Sequence, residues 1–192
     1  MTGDMYVVSG PSGAGKGSLL DWVIPKLDDS WVSVSATTRL PRKGEHDGVH
    51  YFFIGNEEFD QLIAMDGLLE WAQVHGERYG TIRKEVDDRL ARGIDVILEI
   101  DPQGAFQILE KNPRAVLIFI EPPSMEELER RLRARGTESD AAIVRRIADS
   151  RELLAYRDRY HHVIVNDDFG TAALELLELI RNTRTVKETP CL

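Results

Sequence analysis

The sequence predicts an α/β protein, a three-layer α/β/α core with a parallel central sheet, a small β-rich insertion and a helical lid. Three observations carry this expectation. Short apolar runs of strand length alternate with longer helical stretches along most of the chain. The first run, Met5 to Ser9, enters a glycine-rich loop that closes on Lys16 and continues as a helix. From Ala36 to about Thr81 the texture changes, and Pro41, Gly44, Gly48, Gly55, Gly76 and Gly80 cut the chain into short pieces. The expected boundaries are a core of residues 1–35 and 82–192, an insertion of residues 36–81, and a lid at about residues 124–157 within the core.

Each element has its own signal. Met5-Tyr6-Val7-Val8-Ser9 is apolar enough for a buried strand, and a helical stretch follows from about Lys16 to Leu27. Trp31 to Ser35 alternates apolar and small polar residues as a strand does. Inside the insertion, Val49 to Ile54 is a strand-like piece and Asn56 to Met65 a short helix. A helix from Lys84 to Arg92 stops at Gly93, suited to the left-handed position after a helix end. A strand from Asp95 to Ile100 and a helix from Gln103 to about Lys111 follow. Ala115 to Ile120 is apolar throughout, as in a strand covered on both faces. Two charged helices, Ser124 to Arg135 and Asp140 to Tyr156, a strand from His162 to Val165 and an amphipathic helix from Phe169 to Arg181 complete the pattern.

Composition narrows the function. A chain of 192 residues with 42% hydrophobic content suits one compact domain carrying a small insertion. No run approaches the ~18 apolar residues of a membrane span, and the N-terminus lacks the basic and apolar regions of a secretory leader. Cys191 is the single cysteine, so a disulfide framework is excluded and a cytoplasmic location is expected. A net charge of -9 argues against nucleic-acid binding, and no membrane partner is expected. A homo-oligomer is left open. Arginine placement says more than the sum: of 18 arginines, nine lie between Glu121 and Tyr160.

Gly10-Pro11-Ser12-Gly13-Ala14-Gly15-Lys16 fits the G-x-x-x-x-G-K pattern of a P-loop. Glycines let successive backbone N–H groups turn into one anion-sized hollow, and the following helix N-terminus adds donors and positive partial charge. Lys16 supplies a point charge for the β- and γ-phosphates of ATP. The plain alternative is a glycine-rich turn that happens to contain a lysine; the flanking strand and helix argue against it. Gly17 occupies the usual Ser/Thr position, with Ser18 one later. Mg²⁺ carried with the nucleotide is then held mainly by phosphates and water. Ser18 and Gly17 remain assigned to the nucleotide.

The insertion carries Ser35-Ala36-Thr37-Thr38-Arg39-Leu40-Pro41-Arg42-Lys43-Gly44-Glu45, then Gly48, Tyr51, Leu69-Glu70-Trp71-Ala72 and Gly76-Glu77-Arg78-Tyr79-Gly80-Thr81. Later stands Glu99-Ile100-Asp101-Pro102-Gln103-Gly104. With the phosphate loop, these segments resemble the guanylate kinase family from about Met5 to Arg181. That resemblance implies ATP and GMP as substrates and places Ser35, Arg39, Arg42, Glu45, Tyr51, Glu70, Tyr79, Thr81 and Asp101 at the GMP. The chemistry agrees. Arg39 and Arg42 offer planar forks to a phosphate, and Tyr51 and Tyr79 offer hydroxyls. By resemblance Glu70 reads the guanine, Asp101 reinforces it, and Ser35 and Thr81 give hydroxyls to the base. Read alone, Glu70 is a solvated helix-end acid. Asp101 also suits a helix N-cap, and a water-mediated contact to Mg²⁺. Arg78 and Pro102 depart from the family pattern, which leaves Arg78 either tuning the phosphate contacts or pointing outward.

Arg131-Leu132-Arg133-Ala134-Arg135-Gly136-Thr137, with Arg145-Arg146, resembles the lid of these kinases. Guanidinium groups on a closing flap stabilise the charge that spreads over a moving phosphoryl group. Arg135 and Arg146 are assigned there as catalytic with Lys16 and Arg39, and Arg131 beside the adenine. Nine acids share this window, so a solvated surface role is the alternative for each arginine and holds for Arg130, Arg133, Arg145, Arg157 and Arg159. Asn166 resembles a residue near the adenine, with a turn role as its alternative. The acceptor is already an oxyanion, so no catalytic base is needed, and His46, His50, His75, His161 and His162 have no assigned chemistry. Two other functions stand as alternatives. An inactive guanylate-kinase-like interaction module would have a degraded phosphate loop, and a kinase for a phosphorylated sugar would have no use for Glu70 with Asp101.

Overall fold

The structure, a computed structural model, describes residues 2–74, 76–134 and 140–188. In chain order the elements are β1 (Met5–Ser9), α1 (Lys16–Val23), β2 (Ser30–Val32), β3 (Ser35–Thr37), β4 (Phe52–Phe53), α2 (Asn56–Ala64), β5 (Leu68–Val74), β6 (Glu77–Ile82), α3 (Arg83–Ala91) and β7 (Asp95–Glu99). They continue as α4 (Pro102–Lys111), β8 (Val116–Glu121), α5 (Met125–Ala134), α6 (Asp140–Leu154), β9 (His162–Val165) and α7 (Phe169–Glu188). The fold class is α/β with a parallel central sheet. Arg135, Gly136, Thr137, His75 and Cys191 lie outside the described residues.

The chain forms two compact units, one of residues 6–28 and 116–192, the other of residues 1–5 and 29–115. In the first, β1, β8 and β9 pair in parallel, with Val7 opposite Leu117 and Ile118 opposite His162. The side chains of β1 and β8 are almost all buried, as their unbroken apolar runs predict, whereas in β9 only Ile164 is buried. Leu19, Leu20 and Val23 of α1 and Ala172, Ala173, Leu176, Leu177 and Ile180 of α7 complete that interior. The Tyr6 hydroxyl donates to the Ile180 carbonyl at 3.3 Å, so this buried phenol is satisfied. Leu128 and Leu132 of α5 meet Ile143 of α6 in a separate cluster.

In the second unit, β2 and β7 pair in parallel. Beside this pair, β4, β3, β6 and β5 form a four-stranded sheet in that order. The predicted strand Trp31–Ser35 is therefore two strands in two sheets. Trp31 pairs with Val96 and Ser33 N–H still reaches the Ile97 carbonyl, whereas Ser35 pairs with Thr81. Alternation alone cannot show a chain changing sheets. Val49 to Ile54 also contracts to Phe52–Phe53, because residues 46–50 close a turn on the His46 carbonyl. β5 and β6 form a hairpin through Gly76, whose φ of 86° suits glycine.

Helix α2 is fastened to this sheet by Arg78, settling its orientation. Its guanidinium donates to the Asp60 carboxylate and to the Asn56 carbonyl and side-chain oxygen, and stands 4.7 Å from the Phe59 ring centre. Phe59 itself is buried with Ala36 and Leu68. Arg78→Ala should lower unfolding stability by about 1–2 kcal/mol, through lost hydrogen bonds and packing. Asp60→Asn should cost less than about 1 kcal/mol, because Asp60 is exposed. Urea midpoints of the two variants check that order.

Candidate functional site

The loop between β1 and α1 is shaped by close backbone approach. Gly10 has φ 145°, and a Cβ there would lie 2.0 Å from the Ile120 carbonyl oxygen. Gly15 has φ 96°, and a Cβ would lie 2.3 Å from Nδ2 of Asn166. Neither position accepts a side chain without moving the strand or the brace behind it. Lys16 Nζ donates to the carbonyls of Gly10 and Pro11 at 2.7 and 3.2 Å, folded over the loop it serves. The Ala14 N–H closes a turn onto the Pro11 carbonyl.

Around this loop lies a cleft of about 410 Å³, bordered by Gly13, Gly15, Ser18, Arg131, Asn166 and Phe169 among others. Ser18 is exposed at its rim, while Gly17 lies in the first turn of α1. Asn166 is buried and its Nδ2 donates to the Ala14 carbonyl at 2.7 Å, which braces the loop from behind. Arg131 donates to the Asn166 carbonyl and to Glu127. Arg146 on α6 donates a short hydrogen bond to Ser12 Oγ, which puts this guanidinium on the loop. Arg130 and Arg133 instead pair with Glu127, Glu129 and Asp140, as surface arginines do. Glu127, between Arg130 and Arg131, is pulled down to about 2 by their hydrogen bonds.

A second group of predicted residues gathers on the four-stranded sheet. Ser35 lies opposite Thr81 across β3 and β6, and Glu70 lies opposite Thr81 across β5 and β6. Three strands therefore bring Ser35, Thr81 and Glu70 into one row. Tyr79, two residues before Thr81, shares that face of β6, whereas Arg78, one residue before Tyr79, takes the other. A β-bulge at Leu69 re-aims Glu70: Leu68 pairs with Ile82 but Glu70 with Thr81, and residues 68 to 70 are all buried.

Glu70 is thus no solvated helix-end acid. It is 3% exposed, and Thr81 Oγ1 donates to its Oε1 at 2.7 Å. Burial pushes its carboxyl up to about 7; the Thr81 hydrogen bonds oppose this and the charge of Asp101 adds to it. Asp101 caps α4, accepting the Gln103 N–H at 2.9 Å, and Pro102 stands at the first helical position, where a missing N–H costs nothing. The capping role of Asp101 is therefore present.

Next to this row, Arg39 grips Glu45 with both terminal nitrogens at 2.9 Å, and the Arg42 N–H donates to the same carboxylate at 2.7 Å. The Arg39 hydrogen bond holds Glu45 down at about 2, so the pair stays ionised across ordinary pH. The guanidinium faces the Tyr51 ring at 5.3 Å, and the Tyr51 and Tyr79 rings stand 5.9 Å apart, edge to face. Burial is the main cause that raises the Tyr51 hydroxyl, which keeps it a donor. The Arg42 side chain is exposed. The Arg39 fork with two phenols, on a sheet that also carries a buried carboxylate, suits a phosphorylated ligand with a hydrogen-bonding ring.

No local sequence signal marks Gln107 and Lys111 of α4. Gln107 pairs with both backbone groups of Trp71, and Lys111 Nζ donates to the Leu69 carbonyl at 2.5 Å. Their helix spacing was readable, but nothing in it announces docking on a strand edge.

Comparison with known proteins gives one consistent result. The guanylate kinase family model matches residues 2–183. Guanylate kinase of Synechococcus sp. (strain CC9311) is 51% identical over 170 residues, spanning 88% of this chain and 90% of that protein. The Escherichia coli (strain K12) guanylate kinase is 49% identical over 184 residues, spanning 95% and 89%. The crystal structure of guanylate kinase from Anaplasma phagocytophilum superposes with a TM-score of 0.78 at 34% identity, covering 99% of this chain and 89% of that one.

The raised Glu70 carboxyl has a stability consequence. A carboxyl whose folded value lies near 7 holds a proton that the unfolded chain has lost above about 4.5. Its contribution is therefore intact below about pH 4.5, falls as pH rises to about 7, and is constant beyond. Relative to wild type, Glu70→Gln should gain stability between pH 5 and pH 8 by up to about 3 kcal/mol. Urea unfolding of both proteins at those two pH values measures it.

Proposed function

The chain belongs to the guanylate kinase family of phosphotransferases, and from that premise we propose that it transfers the γ-phosphoryl group of ATP to GMP, giving ADP and GDP. The row of half-buried Ser35 with buried Thr81 and Glu70 carries the choice of acceptor. Guanine presents N1–H and the 2-amino group side by side, and a carboxylate accepts from both. Adenine would leave that carboxylate buried and unpaired, a penalty of ~1–3 kcal/mol or more. Asp101 reinforces Glu70, and the hydroxyls of Ser35 and Thr81 serve the base. The assigned contacts go to base and phosphate, so the proposal extends to dGMP.

Arg39, Arg42, Tyr51 and Tyr79 take the GMP phosphate, with Glu45 holding the Arg39 fork in place. On the donor side the backbone of residues 10–18 takes the ATP phosphates, which replace the carbonyls now facing Lys16 Nζ. Arg131 and Asn166 border the adenine end of the cleft. Transfer is direct and in line: the attacking GMP phosphate oxygen is already anionic, so the residues need only orient and neutralise. Arg146, on the loop at Ser12, and Arg135 supply positive charge to the moving phosphoryl group.

Mg²⁺ accompanies the ATP. The exposed Ser18 hydroxyl at the cleft rim, with phosphate oxygens and water, is the oxygen-only donor set this ion takes. When bound, the ion neutralises charge on the β- and γ-phosphates. Residues 36–81 act as the GMP-binding insertion and residues 124–157 as the lid. No described helix is long and apolar enough to cross a membrane, and a cytoplasmic site of action is part of the same proposal.

ADP formation should depend on GMP, proceed with dGMP, and favour GMP over AMP by at least ~100-fold in kcat/KM. GMP-independent turnover, or equal use of AMP, contradicts the proposal. Glu70→Ala should lower kcat/KM for GMP by roughly 10²–10³-fold while the KM for ATP stays within about twofold. Steady-state kinetics with each substrate varied in turn separates the two effects.

A further inference from the structure

Helix α4 does more than follow β7. β5 is the outer strand of its sheet, so among the described residues only one of its edges pairs with another strand. α4 serves the other edge with side chains. Gln107 Nε2 donates to the Trp71 carbonyl at 2.7 Å, and its Oε1 accepts the Trp71 N–H at 3.3 Å, as a neighbouring strand would do. Lys111 Nζ donates to the Leu69 carbonyl. The backbone on both sides of Glu70 is thereby tied to one helix. Its N-terminus is fixed in turn by the Asp101 cap.

Gly104 faces Glu70 from that helix, one turn before Gln107 and Ile108. A Cβ on Gly104 would lie 2.1 Å from Glu70 Oε2 and 2.8 Å from its Cδ. Ordinary contact needs more than 3 Å, so the carboxylate would have to move by about 1 Å. The helix cannot retreat without breaking the Gln107 and Lys111 bonds, and Oε1 is held from the other side by Thr81. Glu70 is the more mobile partner, since the methyl group meets its side chain rather than a backbone atom. Gly104 has no positive φ to relieve, so alanine there strains no backbone.

We propose that Gly104, held against β5 by Gln107 and Lys111, is a specificity-determining position that aims the Glu70 carboxylate at the acceptor base. This rests on the assignment of Glu70 as the guanine-reading group. A methyl at position 104 displaces the reading oxygen while the fold stays intact, so recognition and stability respond differently. Misplacing a recognition group by about 1 Å costs on the order of 10²-fold in rate.

The test is a double-mutant cycle of Gly104→Ala with Glu70→Ala, read by steady-state kinetics and thermal unfolding. Gly104→Ala alone should reduce kcat/KM for GMP by about 10–100-fold, chiefly through KM, with the KM for ATP and the unfolding midpoint unchanged or the midpoint raised. In the Glu70→Ala background, the same substitution should change kcat/KM by less than about twofold, because no carboxylate remains to displace. An equal loss in both backgrounds, or no loss in either, overturns the proposal. A lowered midpoint with KM values for ATP and GMP rising together also overturns it. If Glu70→Ala itself leaves GMP kinetics unchanged, the reading of Glu70 fails, a result distinct from failure of the Gly104 position.

Discussion

Burying a carboxylate that must still ionise constrains the four-stranded sheet more than any other feature. Glu70 loses its water on folding, and desolvation raises its carboxyl into the neutral range. Several local features make the burial tolerable. The bulge at Leu69 turns the side chain inward, Thr81 supplies a hydroxyl at 2.7 Å, and Gly104 leaves room for Oε2. Gln107 and Lys111 then fix the distance between helix and strand. Each of these is an unremarkable contact alone. Together they leave a carboxylate whose remaining valence is satisfied best by a ligand bearing adjacent donors.

The donor loop follows a different logic. There the backbone is the recognition element, and the surrounding side chains keep it curled. Asn166 sits where a Gly15 side chain would be and ties down the Ala14 carbonyl. Lys16 and Arg146 carry the charge, both held by loop atoms in this structure. The Arg39–Glu45 pair is organised similarly. A carboxylate that stays ionised to about pH 2 fixes the guanidinium plane beside Tyr51. Both sites therefore position their cations before any phosphate arrives, which lowers the ordering cost of binding.

Much of this was legible in the residues. The alternation of apolar runs with helical stretches gave the α/β class, and His162–Val165 and Asn56–Ala64 fall where expected, the latter within one residue. The phosphate loop was readable because its function depends on local backbone geometry, which glycine spacing records directly. Glu70 was harder. Its burial comes from a bulge and from partners 11 and 34 positions away in sequence, Thr81 and Gly104, and no local pattern encodes such a meeting. The division of Trp31–Ser35 between two sheets failed to show for the same reason. The sequence alone leaves Arg78 open between substrate and solvent, while strand alternation beside Tyr79 sends it to α2. Gln107 carried no signal, since its partners are backbone groups of a distant strand.

The most direct measurement is the proton count on GMP binding. Isothermal titration calorimetry near pH 6.5, in two buffers of different ionisation enthalpy, reads it. Free Glu70 is largely protonated there and must ionise to accept guanine N1–H and the 2-amino group, so wild type should release roughly half a proton or more beyond Glu70→Gln. Equal proton release by the two proteins, with GMP affinity unchanged in the variant, would contradict the role of the buried carboxylate in reading the base.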